Sequence, residues 1–116
     1  MDLKLIMALV NEEKTEPVMQ AARDAGATGA TIITNVRGEG LTPGKSFLGL
    51  DLTAQRTVLM FLVAEPRARS ILETIAEAGQ FDEEPGTGIA FQVSIEDAIG
   101  LKTQTPTILS EIEDEV

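Results

Sequence analysis

Two short glycine-rich segments are the parts of this sequence best suited to bind a ligand. Residues 38–40 read Gly-Glu-Gly and follow a strand-like run, and residues 86–88 read Gly-Thr-Gly and precede another. Glycine lets a ligand approach the backbone closely and leaves N–H groups available to an anion. Two ordinary turns would give the same spacing. The segments are therefore candidate anion sites whose interpretation depends on the fold.

Catalytic chemistry has little support in the sequence. Residues 44–46 (Gly-Lys-Ser) resemble the end of a phosphate-binding P-loop, but the glycine that this motif needs at position 39 is replaced by Glu39. Adjacent carboxylates fall in turns and helix starts, as expected of solvated faces rather than of an acid–base pair. The chain has no His and no Cys, which removes zinc ligation by those side chains and nucleophile–histidine pairs. We predict that the protein is not an enzyme.

Length, charge and hydropathy limit the classes of protein to which this chain could belong. The chain has 116 residues, 43% of them hydrophobic, which fits one domain with its own core. Its formal net charge of −10 predicts repulsion from nucleic acid and from anionic membrane surfaces. The first apolar run is too short to span a bilayer and lacks a cleavage pattern. We therefore expect a cytoplasmic protein with no nucleic-acid partner and no direct membrane insertion.

Four strands and two helices must position the glycine segments. Residues 3–10 and 57–63 are apolar on both faces, whereas residues 30–37 are mixed and residues 89–95 alternate. The first helix is predicted to begin with Thr15 as its N-cap and to end at Gly26. The second is predicted to begin at Pro66 and to be closed by Gly79.

The resulting order, β-α-β-β-α-β, is that of an α+β, ferredoxin-like open-faced sandwich. Right-handed crossovers place the first and third strands at the centre of the sheet, in agreement with their apolar character on both faces. Both helices then cover one face, and the other face exposes a large apolar patch. We predict a homo-oligomer that packs through the open faces of its sheets.

Several stretches, in order, resemble the PII (nitrogen regulatory) signalling family over about residues 3–103. Residues 26–31 (Gly-Ala-Thr-Gly-Ala-Thr) are similar to its turn into the second strand, and residues 37–40 (Arg-Gly-Glu-Gly) to the base of its T-loop. Residues 86–91 (Gly-Thr-Gly-Ile-Ala-Phe) resemble its B-loop and the strand that follows, and residues 96–103 resemble its C-terminal segment.

The resemblance divides the chain into a PII-like domain over residues 1–103 and an acidic tail over residues 104–116. The T-loop would span about residues 38–55 and the B-loop about residues 82–88. The family assembles as a homotrimer with effector sites in the clefts between subunits. It implies no fixed cofactor, but an adenine nucleotide as effector (ATP, ADP or AMP), often with 2-oxoglutarate and Mg²⁺.

Individual positions carry over from the family's motifs. The effector-binding residues would be Gly29, Ala30, Thr31, Gly38, Gly40, Gly86, Thr87, Gly88 and Lys102. The T-loop would contact a protein partner, such as a membrane transporter or an enzyme, through Lys45, Phe47, Leu48 and Leu50.

The chain departs from the family pattern at the phosphate-binding cations. Ile89 stands where the B-loop has a lysine, and Gly100 stands where the C-terminal segment has an arginine. No tyrosine is available for T-loop modification. The segment from Gly29 to Arg37 is one residue longer than usual, which predicts a bulge or register shift. A triphosphate would be poorly neutralised here, so a less charged ligand, or none, remains open.

The sequence therefore predicts a PII-like regulator that senses a small effector between subunits and acts on a partner through its T-loop. One alternative is a trimeric ferredoxin-like accessory or metal-binding module that binds no nucleotide. A small ferredoxin-like enzyme is a third and weaker interpretation.

Overall fold

Segments in which apolar and polar residues alternate, and segments that are apolar on both faces, form one four-stranded sheet with two helices on one side. The computed structural model describes residues 2–37 and 56–100. Its elements are β1 (Leu3–Asn11), a 3₁₀ turn (Glu12–Lys14), α1 (Thr15–Asp24), β2 (Thr31–Val36), β3 (Arg56–Ala64), α2 (Glu65–Gly79) and β4 (Gly88–Ser94).

The strand order is β2-β3-β1-β4, and each neighbouring pair is antiparallel. The first and third strands are therefore central, which confirms the ferredoxin-like fold predicted from the apolar pattern. Met7 of β1 lies opposite Met60 on one side and Phe91 on the other. This register assigns every described strand residue to one of two faces, because side chains alternate along a strand.

The helix side of the sheet holds the core. Both helices turn a stripe of small and branched side chains toward it, as their periodicity predicted. The buried members are Ile6, Ala8, Val10, Leu59, Phe61 and Val63 from the strands, and Val18, Ala22, Ala68, Ile71 and Ile75 from the helices.

The opposite side of the sheet, which we call the open face, is also apolar. By register it comprises Leu5, Met7, Leu9, Ile33, Val58, Met60, Leu62, Ile89, Phe91 and Val93. Three of these side chains are substantially exposed: Ile33 (45%), Phe91 (39%) and Val93 (44%). The apolar side of β4 thus lies on the open face, and its other side contributes Ala90 to the packing on the helix side.

The start of α1 differs from the prediction. Thr15 is not the N-cap: the residue at that position is Lys14, which makes no side-chain capping bond. The 3₁₀ turn runs directly into the helix, so the chain is already helical before Thr15, whereas an N-cap side chain needs extended backbone. The Thr15 hydroxyl is instead buried without a hydrogen-bond partner among the described residues.

The end of α2 also differs in detail. The helix does end at Gly79, but the left-handed residue is Gln80, with φ 55° and ψ 41°. The amide of Phe81 donates to Ala76 and that of Gln80 to Glu77, the two bonds of a Schellman motif. Gly79 instead leaves room for the Phe81 ring, which a Cβ at this position would meet.

The bulge predicted near the end of β2 is confirmed. The pairing of β2 with β3 shifts register between Ile33 and Val36, and Asn35 has a positive φ of 59°. The extra residue is absorbed there, and Val36 regains a partner at Arg56.

Within residues 2–37 and 56–100, neither helix combines the length and the apolar character needed to cross a bilayer.

Candidate functional site

The loop between α2 and β4 is fixed by the glycines at its end. Gly86 has a positive φ of 79°, which L-residues with a Cβ rarely adopt. A Cβ on Gly88 would lie 2.7 Å from the carbonyl oxygen of Leu9 and 2.6 Å from the Phe81 ring. Backbone cannot yield as a flexible side chain can. The sequence Gly-Thr-Gly is therefore a steric requirement of this loop as well as a possible cradle for an anion.

Thr87 stabilises the same loop through hydrogen bonds made by a buried residue. Its side chain is 6% exposed, and its hydroxyl hydrogen is shared between the carbonyl oxygens of Glu84 at 2.9 Å and Gln80 at 3.1 Å. Its own carbonyl accepts the backbone N–H of Asn11 at 2.8 Å. The loop is thus bonded both to itself and to the end of β1.

Arg56, the first residue of β3, lies beneath the loop. It is 3% exposed, and Nη1 donates to the carbonyl oxygen of Gly86 at 3.0 Å. In the sheet Arg56 lies opposite Asn11 on one side and Val36 on the other. A buried positive charge therefore sits where β1, β2 and β3 reach the loop.

An open cleft of about 470 Å³ lies beside this loop. Its lining residues come from the end of β1, the 3₁₀ turn and the loop: Asn11, Glu13, Lys14, Glu84, Pro85 and Thr87. Lys14 Nζ donates to Gln80 Oε1 at 2.9 Å and lies 3.3 Å from Glu84 Oε2. The ammonium group therefore links the 3₁₀ turn to the loop at the mouth of the cleft.

The sequence-predicted effector residues fall into three groups. Thr87 lines the cleft, and Gly86 and Gly88 adjoin it in the same loop. Thr31, the first residue of the edge strand β2, lies opposite Met60 on the open face. Gly29 and Ala30 line a separate pocket on the helix side. One chain therefore does not bring Gly29, Ala30 and Thr31 to the cleft.

The remaining predicted residues lie outside the described part of the chain. They are Gly38, Gly40 and Lys102 of the effector group, and Lys45, Phe47, Leu48 and Leu50 of the partner-binding loop. The described residues on either side of the predicted T-loop are Arg37 and Arg56. Because Val36 pairs with Arg56, the described residues that flank this segment lie at the end of the strands where the Gly86 loop lies.

Two cations near the Gly86 loop, Arg56 and Lys14, are absent from the effector residues predicted from the sequence. Arg56 had one weak signal, as a charged residue at the start of a strand that is otherwise apolar on both faces. Lys14 had no such signal, because its partners are Gln80, which lies 66 residues further along the chain, and Glu84. Among the described residues, no group of three or more acidic side chains is arranged to hold a metal ion.

Comparisons with known proteins agree with this architecture. The model of the family "Nitrogen regulatory protein P-II" matches residues 3–105. Nitrogen regulatory protein GlnK2 of Haloferax mediterranei is 32% identical over 106 residues, covering 87% of this chain and 85% of that protein. Nitrogen regulatory protein P-II 2 of Methanothermobacter thermautotrophicus is 29% identical, covering 87% and 90%.

Two solved structures share the fold. One is CPII from Thiomonas intermedia K12, determined with ADP, AMP and acetate, with a TM-score of 0.56 and 17% identity over 83% of this chain and 90% of that one. The other is a PII-like signalling protein from Thermus thermophilus, with a TM-score of 0.60 and 23% identity over 81% and 86%. With the family match over nearly the whole chain, these findings show that the protein belongs to the nitrogen regulatory protein P-II family of signal-transduction regulators.

Proposed function

We propose that this PII-family protein senses an adenine nucleotide at the cleft beside Gly86, Thr87 and Gly88, and reports it through residues 38–55. The observation that carries the proposal is the hydrogen bond from Arg56 to Gly86. Arg56 directly follows the predicted T-loop, and Gly86 belongs to the loop that would approach the phosphates. A movement of the Gly86 loop would therefore displace Arg56, and a movement of Arg56 would displace the loop.

The charges at the cleft favour a nucleotide with few phosphates. Lys14 lines the cleft together with Glu13 and Glu84, and the buried Arg56 is bonded to Gly86 of the adjoining loop. Ile89 offers no cation, and by register its side chain lies on the open face. Because the lining offers Lys14 against two carboxylates, AMP or ADP is expected to bind better than ATP unless Mg²⁺ accompanies the triphosphate. The CPII structure with ADP and AMP supports this choice of ligand class.

Assembly is part of the proposal. Thr31 lies on the open face, away from the cleft of its own chain, so a second copy would have to bring it there, whereas Gly29 and Ala30 line a pocket on the helix side. The apolar open face, with Ile33, Phe91 and Val93 exposed, is the surface through which copies would pack. We infer a homotrimer in the cytoplasm whose partner is a transporter or an enzyme contacted by Lys45, Phe47, Leu48 and Leu50.

Thermal melts against ATP, ADP, AMP, 2-oxoglutarate with Mg²⁺, and bicarbonate test the proposal. We expect ADP or AMP to raise the melting temperature by several degrees. Lys14→Gln should reduce that shift, since it removes a cation from the cleft. Lys4→Gln is the matched control, because Lys4 bonds Ser94 at the far end of β1.

Two outcomes would count against the proposal. An equal shift in native protein and Lys14→Gln would place the nucleotide elsewhere. No shift with any ligand would favour the alternative, a trimeric ferredoxin-like accessory or metal-binding module that binds no nucleotide.

A further inference from the structure

A second pocket lies on the helix side of the sheet and shares no lining residue with the effector cleft. Its volume is about 310 Å³, and it is lined by Met19, Arg23, Ala27, Thr28, Gly29, Ala30 and Phe61. This volume is at the lower end of the range of about 300–1,000 Å³ typical of small-molecule sites. The pocket is thus large enough for a compact organic molecule.

The pocket exists because small residues connect α1 to an uncovered edge strand. α1 packs mainly against α2, with the Arg67 guanidinium bonded to the carbonyl of Ala25 at 3.0 Å. The connection from α1 to β2 is built mostly of alanine and glycine, and a Cβ added at Gly29 would meet nothing within 4 Å. The space between Met19 and β2 is therefore left unfilled.

The walls of the pocket are mainly apolar. The floor is Phe61, which is 1% exposed, and Met19 is half-buried beside it. An aromatic floor with a flexible thioether wall suits a flat apolar group, since methionine adapts its shape and packs favourably against rings.

The charge at the pocket has the opposite sign to that of the protein. The chain has 19 acidic and 9 basic residues, yet among the described lining residues Arg23 is charged and no carboxylate is present. Arg23 Nη1 donates to Gln20 Oε1 at 2.8 Å, and Gln20 in turn donates to Asp24 Oδ1 at 2.9 Å. Gln20 thus engages the Asp24 carboxylate, and the Arg23 guanidinium has further N–H donors besides the one bonded to Gln20.

We propose that this pocket binds a small organic monoanion, with an apolar or aromatic body against Phe61 and Met19 and a carboxylate at Arg23. The site is independent of the effector cleft. Because it lies on the helix side, it also stays outward-facing when copies pack through their open faces.

Phenylacetate is a suitable probe, and its uncharged isostere phenylacetamide is the control ligand. The chain has four methionines, so ¹³C-methyl spectra are simple to assign. We expect phenylacetate to shift the Met19 methyl signal saturably, while Met7 and Met60 on the open face stay unchanged. Phenylacetamide should bind about tenfold more weakly, as expected when one charge-assisted hydrogen bond is lost.

Three variants define the site. Ala30→Leu places a larger side chain in the pocket at an exposed position and should abolish the Met19 shift while the methyl spectrum stays that of a folded protein. Arg23→Gln should weaken phenylacetate binding about tenfold and leave phenylacetamide unaffected. Arg69→Gln, at an exposed arginine of α2 paired with Glu73, should change neither.

The proposal is overturned if Met19 does not respond up to the solubility limit of the acid, or if Ala30→Leu responds as the native protein does. Equal binding of the amide and the acid would refute the anionic specificity. A negative result here leaves the nucleotide proposal untouched, because the two sites share no lining residue.

Discussion

The guanidinium of Arg56 donates a hydrogen bond of 3.0 Å to the carbonyl oxygen of Gly86, 30 residues further along the chain. Arg56→Met removes this donor and should lower the free energy of unfolding by about 2 kcal/mol, since the bond is charge-assisted and largely buried. Amide exchange at residues 86–88 should accelerate. Arg56→Lys keeps the charge but not the planar group, so it should recover only part of the loss. A Met variant with native stability and native exchange would show that the bond does not hold the loop.

Gly88 tests the steric account of the loop. Gly88→Ala should destabilise the protein by about 1–3 kcal/mol, because the new methyl group meets the Leu9 carbonyl oxygen and the Phe81 ring. Gly29→Ala is the matched control, since a Cβ there meets nothing within 4 Å. Its change should stay within about 0.5 kcal/mol. Urea unfolding of both variants measures the difference, and equal stabilities would contradict the packing described at Gly88.

The hydroxyl group of Thr87 should contribute more to the free energy of unfolding than its methyl group does. Thr87→Val keeps the shape but leaves the carbonyl oxygens of Glu84 and Gln80 without this donor, so we expect a loss of about 1–2 kcal/mol. Thr87→Ser keeps the hydroxyl and should be the more stable of the two. Denaturant unfolding compares them, and the reverse order would mean that packing of the methyl group dominates.

Two adjacent isoleucines test assembly through the open face. Ile33 lies on that face opposite Val58, while Ile32 lies opposite Leu59 on the helix side, and both are about half exposed. Ile33→Asp and Phe91→Asp should dissociate the proposed trimer, because a charge buried between apolar sheets is costly. Ile32→Asp should not. Light scattering gives the masses, and a trimer that survives Phe91→Asp would exclude this surface as the interface.

The strands and their order could be predicted because a strand that is buried on both faces has apolar residues at consecutive positions of the sequence. Residues 3–10 and 57–63 show it, and they are the central strands. The bulge at Asn35 could also be predicted, from one extra residue. The ends of the helices were less predictable: Thr15 has the right chemistry for an N-cap, but a preceding 3₁₀ turn takes that position, and Gln80 rather than Gly79 adopts the left-handed conformation.

The site was predictable only where it is local in sequence. The motif Gly86, Thr87 and Gly88 is consecutive and forms one turn, so it can be recognised from the sequence. Lys14 and Arg56 reach that turn from distant parts of the chain, and their role depends on the register of the sheet. Alternation along β4 identified an apolar side, but not that this side is the open face. Gly29 and Ala30 were grouped with Thr31, although they precede β2 and line a pocket on the helix side, whereas Thr31 lies on the open face.

The central claim is that a second copy completes the effector cleft beside the Gly86 loop. Calorimetric titration of ADP into the native protein, Phe91→Asp and Ile32→Asp tests it most directly. We predict saturable binding to the native protein and to Ile32→Asp, and none to the dissociated Phe91→Asp chain. Native affinity in that monomer, or no binding to the native trimer, would contradict the account.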